Sequence, residues 1–270
     1  MSLAYFKGKV VAITGGSDGI GLALTEKLLA AGAKVATCGR NQTKLYDLQV
    51  KFPGAPLLCV VADVSNYNDC RLFIESTLKQ FEAIDILINN AGISMKALFA
   101  DADVEVFRKI MDINFFGTLY CSKLALPSLI KQKGTIVGVS SIAGYRGLPG
   151  RSGYSASKFA LTGWLEAIRV ELEPDNVHVM WVCPGYTRSN IRNSALNENA
   201  LEQGESPLDE KSLMSPEEVA NHILIAVQKK KRTLVLTGKG KQALWMNKLF
   251  PALTDKMIRK FFFKDGKLVK

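Results

Sequence analysis

Residues 9–31 read KVVAITGGSDGIGLALTEKLLAA, and the order of signals within them decides the fold. A short apolar run over 9–14 ends at Gly15 and Gly16. From Gly19 onward Ile20, Leu24, Leu28 and Ala31 recur at helical spacing. A strand therefore passes through a glycine turn straight into a helix. Further strand signals fall at 33–38, 56–62, 84–89, 134–140, 177–183 and 232–236. Helical signals lie between them. One runs from the capping Asn41 to 51, one from Asn66 or Asp69 to 81, and a nearly continuous pair spans 103–131. Another covers 155–173 up to Pro174, and Ser215-Pro216 opens the last, to 228. This alternation predicts an α/β chain on a single doubly wound parallel sheet of about seven strands.

Bulk properties agree with one ordered domain. At 270 residues, with 47% hydrophobic and 22% charged residues, the chain can bury one large core and shows no composition break. No apolar run reaches the length of a membrane span, and the start, MSLAYFKGK, lacks a signal-peptide core, so a cytoplasmic location is expected. Cys38, Cys59, Cys70, Cys121 and Cys183 lack metal or redox spacing and read as buried thiols. His178 and His222 are isolated, so no metal site is expected. The net charge of +10 is concentrated at one end: residues 229–270 carry thirteen Lys and Arg against Asp255 and Asp265. The division expected is a domain over 1–240 and a basic amphipathic extension over 241–270. No nucleic-acid-binding signature accompanies the basic segment.

Ligands of a doubly wound sheet sit at the carboxyl ends of its strands. Several chemistry-bearing pieces converge there: Gly15–Gly21, Asn89–Gly92, Ser140-Ser141 and Pro184-Gly185. The first turn can bring a pyrophosphate against a helix N-terminus, where unpaired N–H groups favour an anion. Its candidate contacts are Gly15, Ser17, Asp18, Gly19, Ile20 and Gly21. The spacing is G-x-x-x-G-x-G rather than G-x-G-x-x-G. After the second strand Cys38-Gly39-Arg40 offers no acid for a ribose 2′-hydroxyl and an Arg able to hold a 2′-phosphate, which favours NADP(H) over NAD(H). Asp18 is a negative charge near the same region and works against that preference. Asp63, with Val64 beside it, is placed to meet an adenine or to cap a helix.

The stretch 138–158, GVSSIAGYRGLPGRSGYSASK, supplies acid–base chemistry. Tyr154 and Lys158 lie one helical turn apart on one face, and an ammonium beside a phenol is expected to favour the phenolate. Ser141, thirteen residues before Tyr154, can hydrogen-bond the same reacting oxygen. Tyr5 and Lys9 repeat the Tyr–Lys spacing without such a serine and read as accidental.

With these pieces in order the chain resembles the short-chain dehydrogenase/reductase family over residues 8–236. The motifs are TGGSDGIG, Ala62-Asp63, NNAG at 89–92, Asn114, Ser141, YSASK and Pro184-Gly185. The resemblance implies a Rossmann-type domain with strand order 3-2-1-4-5-6-7 and a catalytic set of Asn114, Ser141, Tyr154 and Lys158. It implies hydride transfer between a nicotinamide and a carbonyl or secondary alcohol, with Tyr154 as acid/base. Lys158 would also contact the ribose, and Asn114 would hold a water in a proton relay. It places Asn90, Ala91 and Gly92 on the adenine–ribose side, and Pro184, Gly185 and Thr187 or Ser189 near the carboxamide. Here Ser189 occupies the family's usual Thr position and Thr187 its Val position.

Residues 187–214 form a long polar stretch expected to act as a substrate lid, with Ile191, Leu196 and Leu201 as apolar wall. Met95, Leu148, Tyr186 and Ile191 are the candidate substrate contacts and favour an apolar carbonyl or alcohol. In the extension, Leu249, Leu253, Met257 and Phe261 make a stripe at i, i+4 spacing among lysines. That stripe packs on its own domain or a second subunit, or it meets a membrane surface peripherally. Such tails occur in the branch resembling 11β-hydroxysteroid dehydrogenases and 3-ketodihydrosphingosine reductases, which favours a lipid-like substrate. The resemblance also implies a homodimer or homotetramer, for which Ala156, Ala160 and Gly163 offer a small-residue face. The alternatives to an enzyme are a non-catalytic nucleotide-binding member and a membrane-peripheral member of the same fold.

Overall fold

The computed structural model describes residues 3–188, 190–204 and 213–269. Seven strands build the main sheet: β1 (Val10–Thr14), β2 (Lys34–Gly39), β3 (Leu57–Val61), β4 (Ile86–Asn89), β5 (Thr135–Val139), β6 (His178–Cys183) and β7 (Thr233–Val235). Their order is β3-β2-β1-β4-β5-β6-β7, and every neighbouring pair is parallel. The chain steps outward from β1 to β3 and then returns to β4. A crevice therefore opens at the carboxyl ends of β1 and β4, where the direction of winding reverses.

Helices cover both faces: α1 (Gly19–Ala30), α2 (Gln42–Lys51), α3 (Tyr67–Phe81), α4 (Val104–Met111), α5 (Gly117–Gln132), α6 (Ser152–Glu171) and α7 (Pro216–Gln228). The two-residue period of a strand divides the core between them. In β1, Val10 and Ala12 join the cluster under α3–α6, while Val11 and Ile13 join the cluster under α1 and α7. In β6, Val179, Trp181 and Cys183 face the first layer, and Met180 and Val182 the second. Because both faces are covered, these central strands read as unbroken apolar runs rather than alternating ones.

Local chemistry fixes the boundaries. Asn66, not Asp69, caps α3, accepting from the backbone N–H groups of Asn68 and Asp69. Asp69 instead accepts from the Asp63 N–H at 2.9 Å. Ser215 and Glu218 form a reciprocal capping box on α7. Between α4 and α5 the helix widens into a π turn over Asp112–Phe116. Helix α6 begins at Ser152, ahead of the expected 155, so Tyr154 lies in its first turn.

The extension continues as α8 (Gly238–Leu249) and α9 (Pro251–Phe262), with Pro251 opening the second helix. The sequence reading ends in helix, but the structure adds an antiparallel hairpin, β8 (Phe263–Lys264) with β9 (Lys267–Leu268). Its turn places Asp265 at φ +50° and Gly266 at φ +74°. The extension is fastened to the loop between Ser141 and α6. Arg146 donates to Asn247 Oδ1 at 2.7 Å and pairs with Asp255, and Asn247 donates to the Tyr145 carbonyl at 3.2 Å. Gly150 sits at φ +70°, and a Cβ there would lie 2.4 Å from Leu268 Cδ2, so the hairpin packs directly on a glycine.

Candidate active site

The glycine turn after β1 is held open by its own backbone. Gly15 (φ +69°) and Gly19 (φ +50°) occupy the left-handed region that side chains avoid. At Gly21 a Cβ would lie 2.1 Å from the Gly15 carbonyl oxygen, so the turn could not close over a larger residue. Thr37 Oγ1 accepts from the Gly16 N–H at 2.9 Å and donates to the Ile13 carbonyl at 2.9 Å, pinning the turn to β2. Asp18 stands at the N-cap of α1 but makes no side-chain cap hydrogen bond. Apart from the Gly19 N–H, which also pulls on the Asp18 carboxylate, the N-terminal amides of α1 are left to meet an anion.

Asp18 spends its charge sideways. Burial pushes its carboxyl up, but hydrogen bonds from Lys44 and Asn190, with the Lys44 charge, more than offset this and hold it below the usual range. The expected conflict between Asp18 and a ribose phosphate is therefore largely neutralised by Lys44, a residue the sequence reading did not pick. Arg40 is half exposed, 3.9 Å from Asp63 Oδ2 in a loose ion pair. Asp63 Oδ1 accepts from the Ser65 backbone and hydroxyl in a local turn, so it does not cap α3.

Across the crevice Asn90 Nδ2 donates to the carbonyls of Thr14 and Gly15, both at 3.1 Å. Thr14 Oγ1 accepts from the N–H groups of Asn90 and Ala91 at 3.0 Å. These bonds tie the ends of β1 and β4 together and fix Ala91-Gly92 opposite the glycine turn. A Cβ at Gly92 would stand 3.0 Å from Asn114 Oδ1 and 3.5 Å from Lys158 Nζ, so glycine keeps the space between those two groups open.

The four candidate catalytic residues come from the loop after β5, the π turn and α6. Asn114 is fully buried, and its side chain is held at both ends. Its Oδ1 accepts from the Ile93 N–H at 2.8 Å. Its Nδ2 donates to the Ile93 carbonyl and to Ser157 Oγ, each at 2.9 Å. Ser157 is the third serine-or-alanine position of YSASK, and this role is invisible in spacing alone. Lys158 is buried, donates to the Val139 carbonyl at 2.8 Å, and lies 5.7 Å from the centre of the Tyr154 ring. Burial pushes its ammonium down to about 8, with Cys183 pulling weakly the other way.

One expectation is corrected here. Lys158 was expected to favour the Tyr154 phenolate, but burial dominates and pushes the phenol up. The opposing pulls come from a hydrogen bond with Ser141 and the charge of Arg151, a residue the sequence reading passed over. The physical reason is desolvation of the buried phenol, which outweighs the pull of an ammonium that is itself bonded to the Val139 carbonyl. Ser141 Oγ also accepts from the Ala143 N–H at 3.1 Å, which turns the hydroxyl toward the start of the following helical turn.

The loop after β6 closes one side. Thr187 is buried, donates to the Gly185 carbonyl at 3.0 Å, and its own carbonyl accepts from Arg192 at 2.9 Å. Ser189 and residues 205–212, part of the expected lid, lie outside the described residues. The described part of this stretch is laid on the loop after β4: Leu196 exchanges backbone hydrogen bonds with Ser94 and Lys96 at 2.9 Å. Leu196 is buried and Ile191 half-buried, whereas Leu201 is 64% exposed and does not face inward. Of the substrate candidates, Met95 is fully buried beneath Leu196 and Tyr186 is 45% exposed. Leu148 lines a cleft of about 400 Å³ together with Asp255, Ile258 and Phe263 of the extension. A glycine-lined anion seat and a group of buried Tyr154, Lys158 and Asn114 with half-buried Ser141 thus share the carboxyl edge of one sheet. These residues fit a nicotinamide dinucleotide.

Comparison with known proteins agrees with that geometry. The short chain dehydrogenase family profile matches residues 9–200. The mouse dehydrogenase/reductase SDR family member 7B is 35% identical over 260 residues, covering 93% of this chain and 80% of that protein. The Anopheles gambiae dehydrogenase/reductase SDR family protein 7-like is 33% identical, covering 92% of this chain and 81% of that one. A Burkholderia phymatum short chain dehydrogenase/reductase, solved in complex with NAD, superposes with a TM-score of 0.80 at 21% identity, over 92% of this chain and 95% of that one. A Streptomyces avermitilis short-chain dehydrogenase gives 0.78 at 26% identity, over 95% and 100%. The sheet order, the glycine seat and the match over most of the chain have one meaning: this protein belongs to the short-chain dehydrogenase/reductase family and is an NAD(P)-dependent oxidoreductase.

Proposed function

We propose that the chain interconverts a carbonyl and a secondary alcohol on an apolar, lipid-like substrate, with NADP(H) as the preferred cofactor and Tyr154 as acid/base. The observation that carries this reading is the grouping of buried Tyr154, Lys158 and Asn114 with half-buried Ser141 at the carboxyl edge that also holds the glycine turn. The nicotinamide, when bound, supplies or accepts the hydride.

In the reductive direction Ser141 donates a hydrogen bond to the substrate oxygen, and Tyr154 delivers the proton to it as negative charge develops. Low water access strengthens both interactions. Lys158, charged below about pH 8, offsets part of the cost that burial places on the Tyr154 phenolate, without bringing the phenol below its ordinary range. Asn114 is a positioning residue. Its bonds to Ile93 and Ser157 lock the π turn, and its Oδ1 lies with Lys158 Nζ beside Gly92, which supports a role in resupplying Lys158 with a proton.

Cofactor preference rests on Arg40 and on the neutralisation of Asp18 by Lys44. Among the described residues Arg40 meets Asp63 in a solvent-exposed pair worth about 0–1 kcal/mol, which leaves it available to a 2′-phosphate. Binding of NADPH and NADH to the wild type and to Arg40→Ala tests this. The expected result is tighter NADPH binding in the wild type, weakened about tenfold by the substitution, with NADH little changed. Equal affinities in the wild type would remove the NADP(H) preference and leave the reaction class standing. For the substrate, half-buried Ile191 and half-exposed Tyr186 support an apolar wall beside the lid. For assembly, Ala156, Phe159 and Gly163 leave an open face on α6 that suits a second subunit.

A further inference from the structure

The extension has an inner and an outer face, and they are chemically opposite. Inside, Thr254 and Phe262 are buried, and Asn247, Asp255 and Leu268 hold the 145–150 loop. Outside stand Trp245 (66% exposed), Leu249 (56%), Phe250 (58%), Leu253 (51%), Met257 (51%) and Phe261 (46%). The whole i, i+4 stripe therefore points away from the domain, against the simpler expectation that it packs on its own core. Scattered exposed apolar residues are ordinary, but five large ones on two consecutive helices, with Phe250 at their junction, form a face that water does not favour.

Charge decides what covers that face. Residues 238–270 carry nine Lys and Arg against Asp255 and Asp265, and Asp255 is already engaged by Arg146. Exposed Lys248, Lys256 and Lys260 each directly precede a stripe residue, and exposed Lys264 follows the last turn. A second copy of the same face would bring these lysines against one another, which like-charge repulsion opposes. An anionic partner complements them. An apolar ridge edged by ammonium groups, with an exposed indole among the apolar side chains, has the pattern of a helix lying in the headgroup region of a bilayer. The lysine stems run along the ridge while their charges meet lipid phosphates. Among the described residues no helix is long and apolar enough to cross a membrane, so the contact is one of surface docking.

We propose that the outer face of α8 and α9, centred on Leu249, Leu253 and Met257, docks the protein onto an anionic lipid bilayer. The test is flotation of the full chain with vesicles of phosphatidylcholine alone and of phosphatidylcholine with about 30 mol% phosphatidylglycerol. The Leu253→Glu/Met257→Glu and Lys256→Glu/Lys260→Glu variants are run beside the wild type. These positions are exposed, and nicotinamide-nucleotide binding checks that each variant is folded. The expected result is about tenfold more wild-type protein on the anionic vesicles, lost at high salt, and a comparable loss in either variant. Three results would overturn the proposal: no vesicle binding, binding indifferent to both variants, or a wild-type dimer that the Leu253→Glu/Met257→Glu variant dissociates. None of them bears on the hydride-transfer reading, which does not use these residues.

Discussion

Tyr5 and Tyr154 each precede a lysine by four residues, and each lysine reaches its tyrosine ring, at 5.0 Å for Lys9 and 5.7 Å for Lys158. Spacing makes the same contact twice. What separates them is burial: Lys9 also meets Asp85 at a partly exposed site, while Lys158 is sealed against Val139 at the carboxyl end of β5. The Lys158 value of about 8 gives a pH prediction with a definite sign. Above that pH the ammonium is lost and the phenol becomes a weaker acid. The reductive kcat/KM for the nicotinamide nucleotide, which reports the free enzyme, should therefore fall as pH rises through about 8. A profile flat well beyond that point would show that Lys158 does not govern the proton. Asn114→Ala should cost about 1–3 kcal/mol in urea denaturation, because it leaves the Ile93 N–H and carbonyl buried without partners. Unchanged stability would mean that water replaces the amide without loss.

At the scale of elements, Gly21→Ala places a methyl 2.1 Å from the Gly15 carbonyl, where backbone must move. Weaker nucleotide binding and a lower denaturation midpoint are expected together, since one turn serves both packing and the anion seat. Ser215→Ala breaks the capping box of α7 and should lower stability by about 1 kcal/mol, with nucleotide affinity unchanged. The strands were legible in the sequence because central parallel strands are short apolar runs bounded by glycine, asparagine or aspartate, as at Thr14-Gly15 and Asn89-Asn90, whereas their order came only from the family resemblance. The glycine seat and the Tyr154–Lys158 pair were legible for the same reason, being local in sequence. Three features were not. The π turn around Asn114 depends on tertiary bonds to Ile93 and Ser157, which no helical period reveals. The pairing of Lys44 with Asp18 joins different βα units. The direction of the Lys158 ammonium is set by a strand carbonyl, not by its own helix. The terminal hairpin did carry a signal, since Asp265-Gly266 is a favoured two-residue turn, but strands of two residues each are too short to show a period.

For the whole molecule, one edge of the sheet gathers nearly all the chemistry, and the extension is bound to that edge through the 145–150 loop. Removing residues 238–270 strips Arg146 of Asn247 and Asp255 and uncovers Gly150. A truncated chain should therefore unfold at lower denaturant by about 1–3 kcal/mol and turn over less well, because the stripped loop leads into α6. Full stability and activity after truncation would show the extension to be an appendage with no hold on the site. The central claim is that this fold performs hydride transfer with Tyr154 as the acid. Its most direct test is NADPH oxidation across a panel of apolar and lipid-like carbonyls by the wild type and Tyr154→Phe, with nucleotide affinity measured beside it. The account predicts wild-type turnover that falls about 10³-fold in the variant while NADPH binds equally well. A variant that keeps the wild-type rate would contradict it.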